Sequence, residues 1–191
     1  VLVAALLGAA LLVAAAPSVA AAACARSVSA PVFSEFGDTA SYALAPGGSF
    51  EEGTRGWSLS NATVVEGNEL FNIFPGVHSL AISGGGRAVS PPVCISSEYP
   101  SFRLFVRQLS GGPEDSLNVS LRWVNLLGIT VNTPVASLHT GPQWAPTPVL
   151  RLGNTMPIWL PGTSANVGLV FSTAGAGTWA IDDVYIDPYS R

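Results

Sequence analysis

Short runs of alternating apolar and polar residues recur along this chain, separated by breaks rich in glycine and proline. In the clearest run, Leu117, Val119, Leu121 and Trp123 point one way and Asn118, Ser120 and Arg122 the other, the period-two pattern of a half-buried strand. The run from Phe102 to Arg107 also alternates, and its polar face holds an aromatic between two arginines: Arg103, Phe105 and Arg107. Val167, Leu169 and Phe171 form a third inward set, and Leu80 with Ile82, Val64 with Val65, and Val149 to Leu152 suggest others. Turn signals stand at Gly84-Gly85-Gly86, Gly111-Gly112-Pro113, Gly141-Pro142, Pro161-Gly162 and Gly175-Ala176-Gly177. No stretch has a helical period and no segment repeats. The pattern predicts an all-β fold, a two-sheet antiparallel jelly-roll sandwich.

The first stretch breaks this pattern. Val1 to Ala23 is almost wholly Val, Leu and Ala, interrupted by Pro17 and Ser18 and ending in small residues. It reads as the apolar segment and cleavage region of a secretory signal, although no Met or basic residue precedes it. Pro17 breaks the run short of the roughly 20 apolar residues of a bilayer span, so a secreted product without a stable membrane span is expected. The expected organisation is a signal segment over 1–23, an N-terminal extension over 24–45 and a β-sandwich over 46–191. The two cysteines, Cys24 and Cys94, are expected to form one disulfide tethering the extension. Lipidation of Cys24 is the alternative, but the residues before it lack the branched apolar side chain usual for that signal.

Composition narrows the function. Only 10% of residues are charged, the net charge is -4, and every basic residue is an arginine. Scattered arginines without a basic stripe argue against nucleic acid. The usage, free of lysine and rich in Ala, Gly and Arg, suggests a high-GC genome such as an actinobacterium's.

Two segments at opposite ends carry the most specific pattern. Gly48-x-Phe50-Glu51 followed by Gly56-Trp57 resembles the opening of galactose-binding-like β-sandwiches, the fold of many carbohydrate-binding modules of secreted glycosidases. Trp179-Ala180-Ile181-Asp182-Asp183-Val184 resembles their closing strand, and Trp144 the tryptophan that often opens a late strand. The chain is also similar to small secreted actinobacterial proteins. The resemblance spans roughly Tyr42 to Pro188 and implies a first strand closed on the last. It also implies a structural calcium held by Glu51, Asp182 and, less directly, Asp183, since a hard cation needs several oxygens drawn together. The competing reading is that these carboxylates cap turns or accept hydrogen bonds from Arg55 or backbone amides.

A sugar-binding surface needs aromatic faces and planar polar groups. The outward face of the Phe102–Arg107 run offers Arg103, Phe105 and Arg107, and a neighbouring strand would add Asn118 and Arg122; the alternative places Phe105 in the core. Trp57, Trp123 and Trp179 fall on inward faces, whereas Trp144 and Trp159, flanked by prolines, are candidate platforms. An enzyme reading has less support. Glu66, Glu69, Glu98, Glu114 and Asp115 fall mainly in loops, His78 and His139 lack metal-binding spacing, and no Gly-x-Ser-x-Gly elbow occurs. The expectation is therefore a secreted, non-catalytic module for carbohydrate or another cell-envelope ligand. A structural or protein-interaction domain comes second, and a small jelly-roll glycoside hydrolase or polysaccharide lyase third.

Overall fold

A computed structural model describes residues 28–96, 101–125, 127–152 and 164–187. The expected signal segment, Cys24, Glu98, Trp159 and the Pro161-Gly162 turn lie outside the described residues. The elements are β1 (Ala43–Leu44), β2 (Ser58–Glu66), β3 (His78–Val89), β4 (Val93–Ser96), β5 (Ser101–Ser110), β6 (Ser116–Val124), β7 (Thr130–Leu138), β8 (Ala145–Pro146), β9 (Leu150–Arg151), β10 (Ser164–Ala174) and β11 (Thr178–Asp187). A single 3-10 turn, Ser34–Phe36, precedes them.

The all-β expectation holds, but the two-sheet sandwich does not. The described strands form one hydrogen-bonded sheet in the order β7-β6-β10-β3-β11-β5-β8, curled into a half-barrel; β1, β2, β4 and β9 join its sides. β3 makes the sheet continuous, because its C-terminal half pairs with β10 and its N-terminal half with β11. The expected turn at Gly84-Gly85-Gly86 is instead a bend inside β3, matched by a register shift between Ser60 and Ala62 where Asn61 takes φ 49°. Gly86 has no room for a side chain: a Cβ there would lie 2.6 Å from the carbonyl oxygens of Asn61 and Ser83.

The main core fills the inside of the curl. Leu117, Val119 and Leu121 of β6, Val167, Leu169 and Phe171 of β10, and Leu80 and Ile82 of β3 all enter it, as their alternation predicts. The two end segments meet there: β1 pairs with β11, and the backbone of the Gly48 turn exchanges hydrogen bonds with Val184. A Cβ on Gly48 would come within 2.8 Å of the Val184 oxygen, which explains glycine at that position. Phe50, Trp57 and Trp179 are buried beside it, and Trp123 is half-buried at its margin.

β5 is buried on both faces from Ser101 to Val106, which realises the alternative that places Phe105 in the core. Phe102, Leu104 and Val106 face the main core, while Arg103 and Phe105 are covered by the segment before β1. Phe33 stacks on Phe105 with centroids 5.6 Å apart and meets Tyr42 edge-on at 5.1 Å, a second apolar cluster completed by Trp144, Ala180 and Tyr185. The described part of the N-terminal extension is thus packed into the fold by its own aromatics. No disulfide joins two described residues: Cys94, on β4, is the one cysteine among them and is not free. Cys94 is disulfide-bonded, and its expected partner, Cys24, lies outside the described residues.

Candidate functional site

The expected ligand face separates into three environments. Arg103 is buried: its Nε donates to the Thr147 carbonyl at 2.8 Å, its Nη1 donates to Asp38 Oδ2 at 3.1 Å, and its guanidinium lies 4.4 Å from the Phe33 ring centre. Phe105 lies between Phe33 and Phe71 and reaches no solvent, so it offers no stacking surface to a ligand. Asn118 and Arg122 stand on β6, which pairs with β10 and β7 and not with β5. Consecutive strands in sequence have entered different arms of the sheet.

Arg107 and Trp144 are brought together. The Arg107 guanidinium lies 4.7 Å from the centre of the Trp144 ring, a cation–π contact at the wall of an open cleft of about 710 Å³. The cleft is also lined by Glu66 at the end of β2 and by Asn68, Leu70 and Val77 of the 67–77 loop between β2 and β3. Arg107 Nε is buried without a hydrogen-bond partner, and Leu70 and Phe71 of the loop are 75% and 40% exposed. The cleft joins a fixed guanidinium, a carboxylate and an amide to apolar surface.

Distant carboxylates hold that loop in shape. Asp182 and Asp183 lie on β11 at a register shift, where Asp183 takes φ 49°; the bulge lets Ile181 and Val184 both face the core and turns the acids toward the loop. Asp182 Oδ2 accepts the Glu69 N–H at 3.0 Å and the Asn68 side-chain amide at 2.8 Å, and its Oδ1 accepts the Asp183 N–H at 2.8 Å. Asp183 Oδ2 accepts the Phe74 N–H at 2.9 Å. Glu69, itself buried, accepts the N–H groups of Phe71 and Ile73. Glu51 accepts the N–H groups of Val77 and His78 through Oε1 and contacts His78 Nδ1 at 3.0 Å through Oε2.

Burial, then the charge of Asp183, pushes the Asp182 carboxyl up to about 8 against the pull of its amide donors; burial, then Glu69 and Glu51, pushes Asp183 up to about 7. For Glu51, burial acts upward, but the His78 amide and ring and the Val77 amide outweigh it and hold the group below its ordinary value. The turn-capping reading of these acids is realised, with loop amides rather than Arg55 as donors. Among the described residues no three of His, Cys, Asp and Glu are arranged as a metal site. Asp183 Oδ1 nevertheless remains buried without a donor, an open acceptor of the kind a cation takes.

Asn68 and Phe71 escaped the sequence reading, which placed Glu69 in a loop without a role. A short loop in which Leu70, Phe71, Ile73 and Phe74 crowd between two glycines carries a signal of packing, but its partners come from more than 100 residues away. Glu66 and Glu69 both line the cleft, yet Glu69 has both oxygens engaged by backbone N–H groups. One free carboxylate falls short of the pair that glycoside hydrolysis requires.

No protein-family model matches the chain, and no curated protein matches it. Solved structures do. The CBM22-1 xylan-binding domain of Paenibacillus barcinonensis Xyn10C aligns with a TM-score of 0.53 and 16% identity over 74% of this chain and 93% of that one. The CBM22-1–GH10 modules of Clostridium thermocellum endo-1,4-β-D-xylanase 10B, complexed with xylohexaose, align at 0.55 and 17%, over 74% of this chain and 28% of that one. The enzymatically active domain of bacteriophage CBA120 tailspike protein 4 aligns at 0.53 and 17%, over 74% and 21%. The chain thus spans nearly all of the isolated module and about a quarter of the larger proteins. At these identities the likeness is one of fold, a fold that carbohydrate-binding modules share.

Proposed function

We propose that this chain is an exported, non-catalytic carbohydrate-binding module whose ligand lies in the cleft between Arg107 and the 67–77 loop. The observation that carries the reading is the Arg107 guanidinium placed over the Trp144 ring in the cleft that Glu66 and Asn68 also line. Vicinal sugar hydroxyls need paired donors and acceptors in fixed directions, and a guanidinium sharing a cleft with a carboxylate and an amide supplies both; Leu70 and Val77 cover the C–H faces. Trp144, only 5% exposed, acts through Arg107 rather than as a stacking platform. Xylan and other neutral plant polysaccharides are the first ligands to test, because similarly folded modules are described as xylan-binding or hold xylohexaose. The apolar Val1–Ala23 stretch supports an extracellular setting.

A structural calcium is proposed with this function. The buried, undonated Asp183 Oδ1 and the mutual repulsion of Asp182 and Asp183 support it. These two residues would hold the ion, which would supply positive charge behind the loop; Glu51 is engaged with His78.

Isothermal titration with xylohexaose and cello-oligosaccharides tests the ligand assignment. Arg107→Met, which keeps an apolar stem over Trp144, is expected to weaken binding at least tenfold while leaving the thermal melt of the chain in place. Unchanged affinity in that variant would remove the cleft from consideration. A second reading, attachment to a protein or surface partner, is favoured by the β6–β7 turn, where Val124, Leu127 and Ile129 are all exposed and Leu127 is 82% exposed. It predicts pull-down of that partner to be lost in Leu127→Ser, with glycans not bound at all.

A further inference from the structure

The other arm of the sheet holds a second groove, of about 630 Å³, where β10 passes from its pairing with β6 to its pairing with β4. Its floor is β10 at Gly168, the register partner of Arg122; a Cβ there would press within 3.3 Å of Val89 Cγ1, so the floor stays low. Around it stand Ser58, Arg122, Trp123, Thr130 and Asn166. Trp123 is half-buried and fixed by its Nε1–H, which donates to Thr133 Oγ1 at 3.0 Å.

The charge of this groove differs from that of the first cleft. Arg122 is the one ionisable residue lining it, is exposed, and makes no ion pair among the described residues, whereas Arg107 shares its cleft with Glu66 and Glu69. A guanidinium facing no carboxylate among the described residues, ringed by hydroxyl and amide groups, attracts a planar anion on a polyhydroxyl frame. We propose that this groove binds a carboxylate-bearing sugar, that is, a uronic-acid unit of an anionic glycan. Arg122 receives the carboxylate through two parallel N–H donors, Ser58, Thr130 and Asn166 meet ring hydroxyls, and Trp123 packs against the C–H edge. The site is separate from the Arg107 cleft and stands or falls without it.

The test uses the full chain titrated with tetragalacturonate, its methyl ester and an oligomer of glycerol phosphate, followed by calorimetry and by chemical shifts of the Trp123 indole. The acid is expected to bind and to shift the indole signal. Esterification, or Arg122→Gln, is expected to weaken binding at least tenfold, and rising salt to weaken it further. Arg107→Met is expected to leave it unchanged. Absence of binding by the acid, equal binding of acid and ester, or indifference to Arg122→Gln would each overturn the site. Loss of binding in Arg107→Met would reassign the acid to the first cleft, and preference for glycerol phosphate would overturn the carboxylate assignment. Because each arginine reports on one groove, failure of either proposal leaves the other readable.

Discussion

Arg103 shows how a residue expected on a ligand face becomes an anchor. Its guanidinium is almost fully buried, so its charge requires compensation, which comes from Asp38, the Thr147 carbonyl and the face of Phe33. Asp38 and Phe33 thereby bind residues before β1 onto β5, and Thr147 binds the segment after β8. Phe33→Ala is expected to cost about 3–5 kcal/mol by the precedent of buried aromatic truncation, read as a lowered urea midpoint at unchanged slope. Asp38 adds a pH signature. Burial acts to raise its pKa, but the Tyr42 hydroxyl, the Ala40 N–H and Arg103 outweigh it and leave the carboxyl below its ordinary value. The stability this adds is present above the unfolded value, about 3.9, and is lost as pH falls through the lower folded value. Urea midpoints measured from pH 5 downward should therefore fall less steeply in Asp38→Asn than in the parent chain; parallel curves would mean the carboxylate contributes no pH-dependent stability.

At the scale of elements, the bend in β3 decides the architecture. With β10 hydrogen-bonded to one half of this strand and β11 to the other, the 12-residue strand carries both arms of the curl. Gly84 and Gly86 make the bend because other chain segments pass at contact distance, the Ala176 oxygen 2.7 Å from a Cβ on the first and the Asn61 oxygen 2.6 Å from one on the second. Those obstacles are backbone atoms, which cannot rotate aside. Gly86→Ala is expected to destabilise by about 1–3 kcal/mol, whereas Gly112→Ala, with open space around it, should lie within about 0.5 kcal/mol of the parent in the same denaturant titration. This contrast also marks what sequence reading can reach. Inward faces of β6 and β10 were legible because alternation is local, as was the meeting of the Gly48 turn with the closing strand, through its family resemblance. Triple glycine, however, reads as a turn unless the partner strands are known. A core position for Phe105 was one of two readings of β5, but what covers it was hidden, since Phe33 arrives from about 70 residues away. Of the candidate site, Arg107 and Trp144 were named and met; Asn118 and Arg122 were assigned to the wrong arm, because strands adjacent in sequence were taken as adjacent in space.

Across the whole molecule, the cleft wall depends on residues from opposite ends of the chain. The 67–77 loop has no regular structure of its own; its amides are gathered by Glu51 near the start of the fold, by Asp182 and Asp183 near its end, and by its own Glu69. Gathering four carboxylates under one loop engages the N–H groups of Glu69, Phe71, Ile73, Phe74 and Val77 but concentrates negative charge, and the His78 ring on Glu51 is the one basic side chain paired with these acids among the described residues. Two remedies are physically available: protonation of the buried aspartates or a bound divalent cation. They separate at fixed pH 7.5 by comparing melting temperatures in calcium and in chelator. A ligand at a hundred times its dissociation constant stabilises by about 2.7 kcal/mol, which for a chain of this size is a rise of roughly 5–10 °C. That rise is expected in the parent and not in Asp183→Asn, and oligosaccharide affinity for the Arg107 cleft should rise with it, because the ion and the ligand hold opposite sides of the same loop. Identical melts in calcium and chelator would assign the acids to amide anchoring alone, with the proton that burial favours carried mainly by Asp182.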